Sequence, residues 1–148
     1  MKKYLAFTLV FFVCGSNYAQ IQKPRFNHLA IFVKDLKASR NFYEKIVGLD
    51  TIPEPFHDGK HKWYNLGAGT SLHVIEGEEA KKKDYFKSNH FCLSVVSVDV
   101  FMQVLKKNKI EFSDYAGKPN AFTTRPDGVK QIWFKDPDGY WIEINDAK

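Results

Sequence analysis

Trp133-Phe134-Lys135-Asp136-Pro137-Asp138-Gly139-Tyr140-Trp141-Ile142-Glu143-Ile144 reads as a tight β-hairpin. Both arms are rich in aromatic and β-branched residues, and Asp136 to Gly139 between them puts a proline at the second turn position and a glycine where positive φ is needed. A degraded copy lies 70 positions earlier, Trp63-Tyr64-Asn65-Leu66-Gly67-Ala68-Gly69-Thr70-Ser71-Leu72-His73-Val74, with Trp63 on Trp133, Gly69 on Gly139 and His73 on Glu143. A second match has an offset of 62: Asn27-His28 and Asn89-His90 each open an apolar strand that a helix follows. The chain is therefore two copies of one unit, each with a potential metal ligand on its first strand and another on its last.

A chain of 148 residues, 44% hydrophobic and 16% aromatic, can bury a real core and does not have the composition of a disordered segment. Met1-Lys2-Lys3, the apolar run Leu5 to Val13 and the small residues Cys14-Gly15-Ser16 have the order of a secretory signal peptide, residues 1 to 19, cleaved after Ala19. That run is too short for a stable membrane span. Val13 before Cys14 matches a lipoprotein box poorly. Cleavage removes 19 of the 148 residues and leaves 129, and the loss of Lys2 and Lys3 lowers the net charge from +5 to +3. The remaining lysines are scattered or in short runs such as Lys81-Lys82-Lys83, which gives a nucleic-acid partner no support. Cys92 is then the single mature cysteine, so no intramolecular disulfide can form, and its place in an apolar strand pattern reads as a buried, inert residue.

Taken in order, Phe26 to Val33 is a strand, and Asp35 caps a helix with the stripe Leu36, Phe42, Tyr43, Ile46 and Val47, stopped by Gly48. Leu49 to Ile52 is a short strand, Glu54 to Lys60 a loop, and His61 to Leu66 with Thr70 to Ile75 the first hairpin. Glu76 to Lys87 is a charged linker. Asn89 to Val96 is again a strand, and Asp99 caps a helix with the stripe Val100, Phe101, Val104 and Leu105. Ile110 to Phe112, Val129 to Lys135 and Tyr140 to Ile144 complete the second unit, and Ala121 to Asp127 is ambiguous. The fold class is α+β: one domain over residues 20 to 148, built of two βαβββ modules at about 26 to 76 and 89 to 145 that form a curved mixed sheet.

Alternation along a strand separates the faces. Leu29, Ile31 and Val33 share one face and His28 takes the other; Phe91, Leu93 and Val95 oppose His90, Cys92 and Ser94. The same split separates Leu72 and Val74 from His73, and Ile142 and Ile144 from Glu143. The aliphatic faces suit helices, and the polar faces hold His28, His73, His90 and Glu143. Three imidazoles and a carboxylate fit a divalent transition ion such as Zn, Ni, Co, Mn or Fe and not the oxygen shells of Ca and Mg. Each histidine alone is more often a hydrogen-bonded structural residue; the paired repeat positions are what favour a metal site. His57 and His61 lack that pairing and read as exposed or substrate-facing, while Arg125 and Tyr64 are candidates to line the site or are plain surface and packing residues.

Asn27-His28-Leu29-Ala30-Ile31-Phe32-Val33-Lys34-Asp35-Leu36, Ser39-Arg40-Asn41-Phe42-Tyr43-Glu44-Lys45-Ile46-Val47-Gly48-Leu49, Asn89-His90-Phe91 and Asp136-Pro137-Asp138-Gly139-Tyr140-Trp141-Ile142-Glu143 resemble the vicinal oxygen chelate superfamily, that of glyoxalase I, extradiol dioxygenases, methylmalonyl-CoA epimerase and fosfomycin and bleomycin resistance proteins. The resemblance implies metal ligands at His28, His73, His90 and Glu143, a small-molecule substrate, and modules paired within one chain or swapped between two, so that a homodimer is one allowed arrangement. Glyoxalase I has Glu or Gln where this chain has His73, which leaves Glu143 as the ligand able also to move a proton. An extradiol triad would map to His28, His90 and Glu143.

Two function classes follow. One is a glyoxalase-like lyase or isomerase in which the metal polarises a substrate with adjacent oxygens, an enediolate forms, and Glu143 as catalytic base, or a metal-bound hydroxide, moves the proton. The other is a binding or resistance protein that holds a ligand in the same aromatic cup. The four-ligand set favours the enzyme, whereas an exported, periplasmic or secreted location keeps the binding class open. N-terminal sequencing of the protein from its native host is expected to start near Gln20; recovery of intact Met1 from a soluble cytosolic fraction would overturn the export expectation.

Overall fold

In the computed structural model, which describes residues 23–80 and 85–148, the two related hairpins sit at the middle of two sheets. The elements are β1 (His28–Val33), α1 (Leu36–Asn41), β2 (Thr51–Ile52), β3 (His61–Gly67), β4 (Thr70–Glu76), β5 (His90–Ser94), α2 (Val98–Lys107), β6 (Phe112–Ser113), β7 (Thr123–Thr124), β8 (Lys130–Lys135) and β9 (Trp141–Asn145). One sheet runs β1-β4-β3-β2 and the other β5-β9-β8-β6, with β7 added against β8. Each sheet has one parallel pair, β1 with β4 and β5 with β9, and is otherwise antiparallel. Each module closes its own mixed sheet, and among the described residues no ladder joins the two. The registers repeat as the offsets of 70 and 62 require: Trp63 faces His73 as Trp133 faces Glu143, and His28 faces Ser71 as His90 faces Trp141. The expected signal peptide and Cys14 lie outside the described residues, as does Lys81-Lys82-Lys83.

Asp35 caps α1 as its sequence position predicts, its Oδ1 accepting from the Ala38 N–H at 3.0 Å. The helix then widens into a π-helical segment, Phe42–Val47, stopped by Gly48 at φ 83°. Around this junction the neighbours Phe42 and Tyr43 are both buried. The cap of α2 corrects the sequence reading, because it is Ser97, whose Oγ accepts from the Val100 N–H at 3.3 Å. Asp99 lies in the first turn, where its charge complements the helix dipole and its Oδ2 takes a hydrogen bond from Lys130. The earlier start changes the phase of the buried face to Val98, Phe101, Met102 and Leu105 and leaves Val100 exposed.

A single core takes Ile31 and Val33 from β1, Leu72 and Val74 from β4, Ile132 and Phe134 from β8, and Ile142 and Ile144 from β9. Phe134 meets both helical segments, with its ring 6.1 Å from that of Phe42 and 5.9 Å from that of Phe101. Truncating such a buried ring to alanine costs about 3–5 kcal/mol. Because the aliphatic faces of both sheets enter one core, their opposite faces look away from it.

The hairpin turn between β8 and β9 locks the modules together. Asp136 is buried, its Oδ1 accepting from the backbone N–H groups of Asp138 and Tyr140 at 3.0 and 2.8 Å and its Oδ2 from the Tyr43 hydroxyl at 2.7 Å. Asp138 accepts from the Lys34 N–H and the Ser39 hydroxyl, and the Phe32 N–H donates to the Tyr140 hydroxyl. Burial raises the Asp136 carboxyl to about 6, against the pull of its donors. Its folded value therefore lies above the unfolded carboxyl, so this group's own contribution to stability is full below about 4 and is lost as pH rises through about 6. The Tyr43 bond acts in the opposite direction, because a hydroxyl stabilises a carboxylate more than a carboxylic acid. Tyr43→Phe is expected to cost about 1–3 kcal/mol in urea unfolding at pH 7, with the loss shrinking as pH falls through 6; a loss independent of pH would show that the bond to ionised Asp136 is not its source.

Candidate functional site

On the polar face of the first sheet, His73 in β4 is buried against aromatic rings, with Trp63 stacked on it at 4.2 Å and Phe56 at 5.7 Å. Burial, then the neighbouring His61 and His28, lower its pKa and keep it a neutral, lone-pair donor near pH 7. His28 in β1 is exposed, its ring 6.2 Å from that of His73 and its Nδ1 2.8 Å from the Asn27 Oδ1. If this Nδ1–H donates to the amide oxygen, Nε2 carries the lone pair.

On the polar face of the second sheet, His90 in β5 and Glu143 in β9 meet at 2.9 Å, Nε2 to Oε2. His90 Nδ1 lies 2.8 Å from the Lys87 carbonyl oxygen, which can only accept, so this nitrogen donates and Nε2 of the neutral ring is a lone-pair site. Two acceptors then face one another, which is stable only with a cation between them, a proton or a metal ion. The donor set thus fits a transition ion: neighbouring ligands at about 2.1 Å from a six-coordinate ion stand about 3.0 Å apart.

Glu143 is buried and fastened from behind. Its Oε1 accepts from the Gln131 and Asn145 carboxamides, and Asn145 also reaches the Cys92 sulfur at 3.1 Å. Burial alone would raise this carboxyl, but Gln131, Asn145, Cys92 and His90 outweigh it and hold the pKa below its ordinary value. Glu143 is therefore ionised at neutral pH, with Oε2 as its outward oxygen.

The structure brings His28 to His73 and His90 to Glu143, each pair on its own sheet, and among the described residues no three His, Cys, Asp or Glu side chains gather closely enough to hold an ion. His57 is exposed, as expected. His61 opens β3, where the hairpin reading starts that strand, but it is mostly buried rather than exposed, and its Nδ1 lies 2.7 Å from the His73 Nε2. Tyr64 does not line the site, because its parity sends it into the core, where its hydroxyl donates to Glu44 and burial raises its pKa. Arg125 pairs with Asp127. Cys92 also departs from expectation: it is exposed on the ligand face, and local desolvation, then Glu143, push its thiol up to about 12. The alternation that sets Cys92 opposite Phe91 and Leu93 carries the signal for this, because only every second residue faces the core. Gln131 and Asn145 were missed altogether, yet the 70-residue offset that equates Trp63 with Trp133 also places Gln131 on His61.

The indole nitrogens of the repeat-equivalent Trp63 and Trp133 are buried without a hydrogen-bond partner among the described residues. An open groove of about 950 Å³ passes Trp133 and Trp141 and is lined also by Lys106, Lys109 and Lys135, but not by His90 or Glu143. Among the described residues no helix is long and apolar enough to cross a membrane.

Comparison with known proteins agrees with this architecture. The sequence model of the Glyoxalase/Bleomycin resistance protein/Dioxygenase superfamily matches residues 25–144. Glyoxylase I 4 of Arabidopsis thaliana is 28% identical over 80% of this chain and 68% of its own length. The mitochondrial methylmalonyl-CoA epimerase of Mus musculus is 30% identical over 83% of this chain and 73% of its own length. The crystal structure of the fosfomycin resistance protein FosX from Listeria monocytogenes superposes with a TM-score of 0.67 at 22% identity, covering 86% of this chain and 96% of that one.

Proposed function

The chain belongs to the Glyoxalase/Bleomycin resistance protein/Dioxygenase superfamily, and on that premise we propose that it is a metal-dependent enzyme of glyoxalase type, a lyase or isomerase acting on a small substrate with adjacent oxygens. The observation that carries this reading is His90 Nε2 facing ionised Glu143 Oε2 at 2.9 Å, with neutral His73 at the position equivalent to Glu143 in the other module. The glyoxylase and epimerase among its relatives support it. When bound, a divalent transition ion supplies the Lewis acidity that polarises paired oxygens and lowers the cost of the charge left when a C–H proton departs.

The chain's own groups do the rest. His28, His73, His90 and Glu143 are the proposed ligands. Gln131 and Asn145 occupy Oε1 of Glu143, so Oε2 is the one oxygen left to hold the ion and, where substrate oxygens displace it from the ion, to take up and return the proton. Trp63 and Phe56 stack on His73, and Trp133 meets His90 edge to face, so apolar rings flank the proposed ligands.

The two ligand pairs lie on sheet faces that look away from a shared core. We therefore propose a homodimer in which the first module of one copy meets the second module of its partner and completes the ligand set. Untagged protein is expected to bind a divalent ion, and His28→Ala and His90→Ala are each expected to lose it. Refolded together, these two variants should regain binding, because a heterodimer then contains one centre with every ligand. Absence of recovery would place both pairs in one chain.

Glu143→Gln tests the chemistry. It can still offer an oxygen to the ion but cannot accept a proton, so turnover should fall at least about 10²-fold while most metal is kept. The measurement is a screen of 2-oxoaldehydes, 2-hydroxy thioesters and catechols with wild type and variant. Full activity in the variant would remove Glu143 as the base. A wild type that turns over nothing yet binds an aromatic ligand tightly would favour the binding or resistance function.

A further inference from the structure

We propose that His61 is a ligand of the same ion as His73, a role that rests on the metal-dependent reading above. In the second module the touching donor atoms are the first-strand His90 and the last-strand Glu143. In the first module the contact is different. His73 Nε2 is met at 2.7 Å by Nδ1 of His61 from β3, while the rings of His73 and the first-strand His28 are 6.2 Å apart between centres.

Three features prepare His61 for this. Its ring is stacked on Phe56 at 4.2 Å, which fixes its plane. Its Nε2 lies 3.4 Å from the Asp58 carboxylate, whose negative charge favours a proton on that nitrogen over one on Nδ1. The 2.7 Å between His61 Nδ1 and His73 Nε2 is near the separation of about 3.0 Å that adjacent ligands adopt on a six-coordinate ion.

The repeat sharpens the assignment. Gln131 occupies the position of His61 and donates to Glu143 as a hydrogen-bonding support. A carboxamide there suits a carboxylate neighbour, whereas an imidazole beside an imidazole offers a second soft nitrogen. In the first module the touching donors are therefore His61 and His73, with the His28 ring 6.2 Å from that of His73, so the modules differ in which strand supplies the second donor.

Cobalt(II) titration of untagged protein, followed by visible absorption, separates a ligand from a support. His61→Gln restores the hydrogen-bonding arrangement that Gln131 provides in the second module, so a supporting role would survive it and a ligand role would not. The expected result is at least about a 10-fold loss of cobalt affinity in both His61→Ala and His61→Gln, with a changed cobalt spectrum in His61→Gln and wild-type behaviour in His57→Ala. Wild-type affinity and spectrum in His61→Gln would overturn the inference and leave the metal reading standing. Failure of the wild type to bind cobalt, zinc or nickel would overturn both. Urea midpoints of the variants, read in parallel without metal, should match wild type, so that a fall in affinity is not a loss of fold.

Discussion

A carboxylate with almost no water around it holds the two halves of this molecule in register. Asp136 sits in the turn that joins β8 to β9, gives one oxygen to two backbone N–H groups of its own turn and the other to the Tyr43 hydroxyl of the opposite module. A charge so placed is expensive to desolvate, and only the fixed donors make it tolerable. The turn can adopt its form because Gly139 takes φ 94°. Once the turn is set, Asp138 and Tyr140 reach β1 and α1, and the rings of Phe42, Phe101 and Phe134 close behind them.

That closure determines where chemistry can occur. With every aliphatic strand face directed into a common core, the histidines and Glu143 are left on the outward faces. Duplication then has a functional meaning beyond symmetry of fold. Each sheet presents its own pair of histidine or carboxylate groups beside an indole, and on the proposed reading pairing of modules between copies brings the two sets together.

The two faces have also diverged in their supports. Around Glu143 the supporting groups are neutral carboxamides, which favour the ionised carboxylate and depress its pKa. Around His73 they are aromatic rings and imidazoles, which favour a neutral ring. One side is built to carry negative charge and the other lone pairs. A divalent cation suits both.

The sequence by itself determined the duplication, the α+β modules, the strand parity and the placing of His28, His73, His90 and Glu143 on the polar face. These are properties of spacing: a hairpin with Pro and Gly in its turn fixes register, and alternation fixes the face. Which helix residue caps α2 was not legible from Asp99 alone, because Ser97 two positions earlier is an equally good acceptor and the packing of Val98 decides between them. Nor could spacing show how far Cys92 is exposed or that His61 touches His73, since each depends on which loop or sheet covers the strand. The separation of the two ligand pairs was decided by tertiary structure alone, for a physical reason: strand alternation says which side a ligand faces, but only the burial of both aliphatic faces in one core says which way that side points.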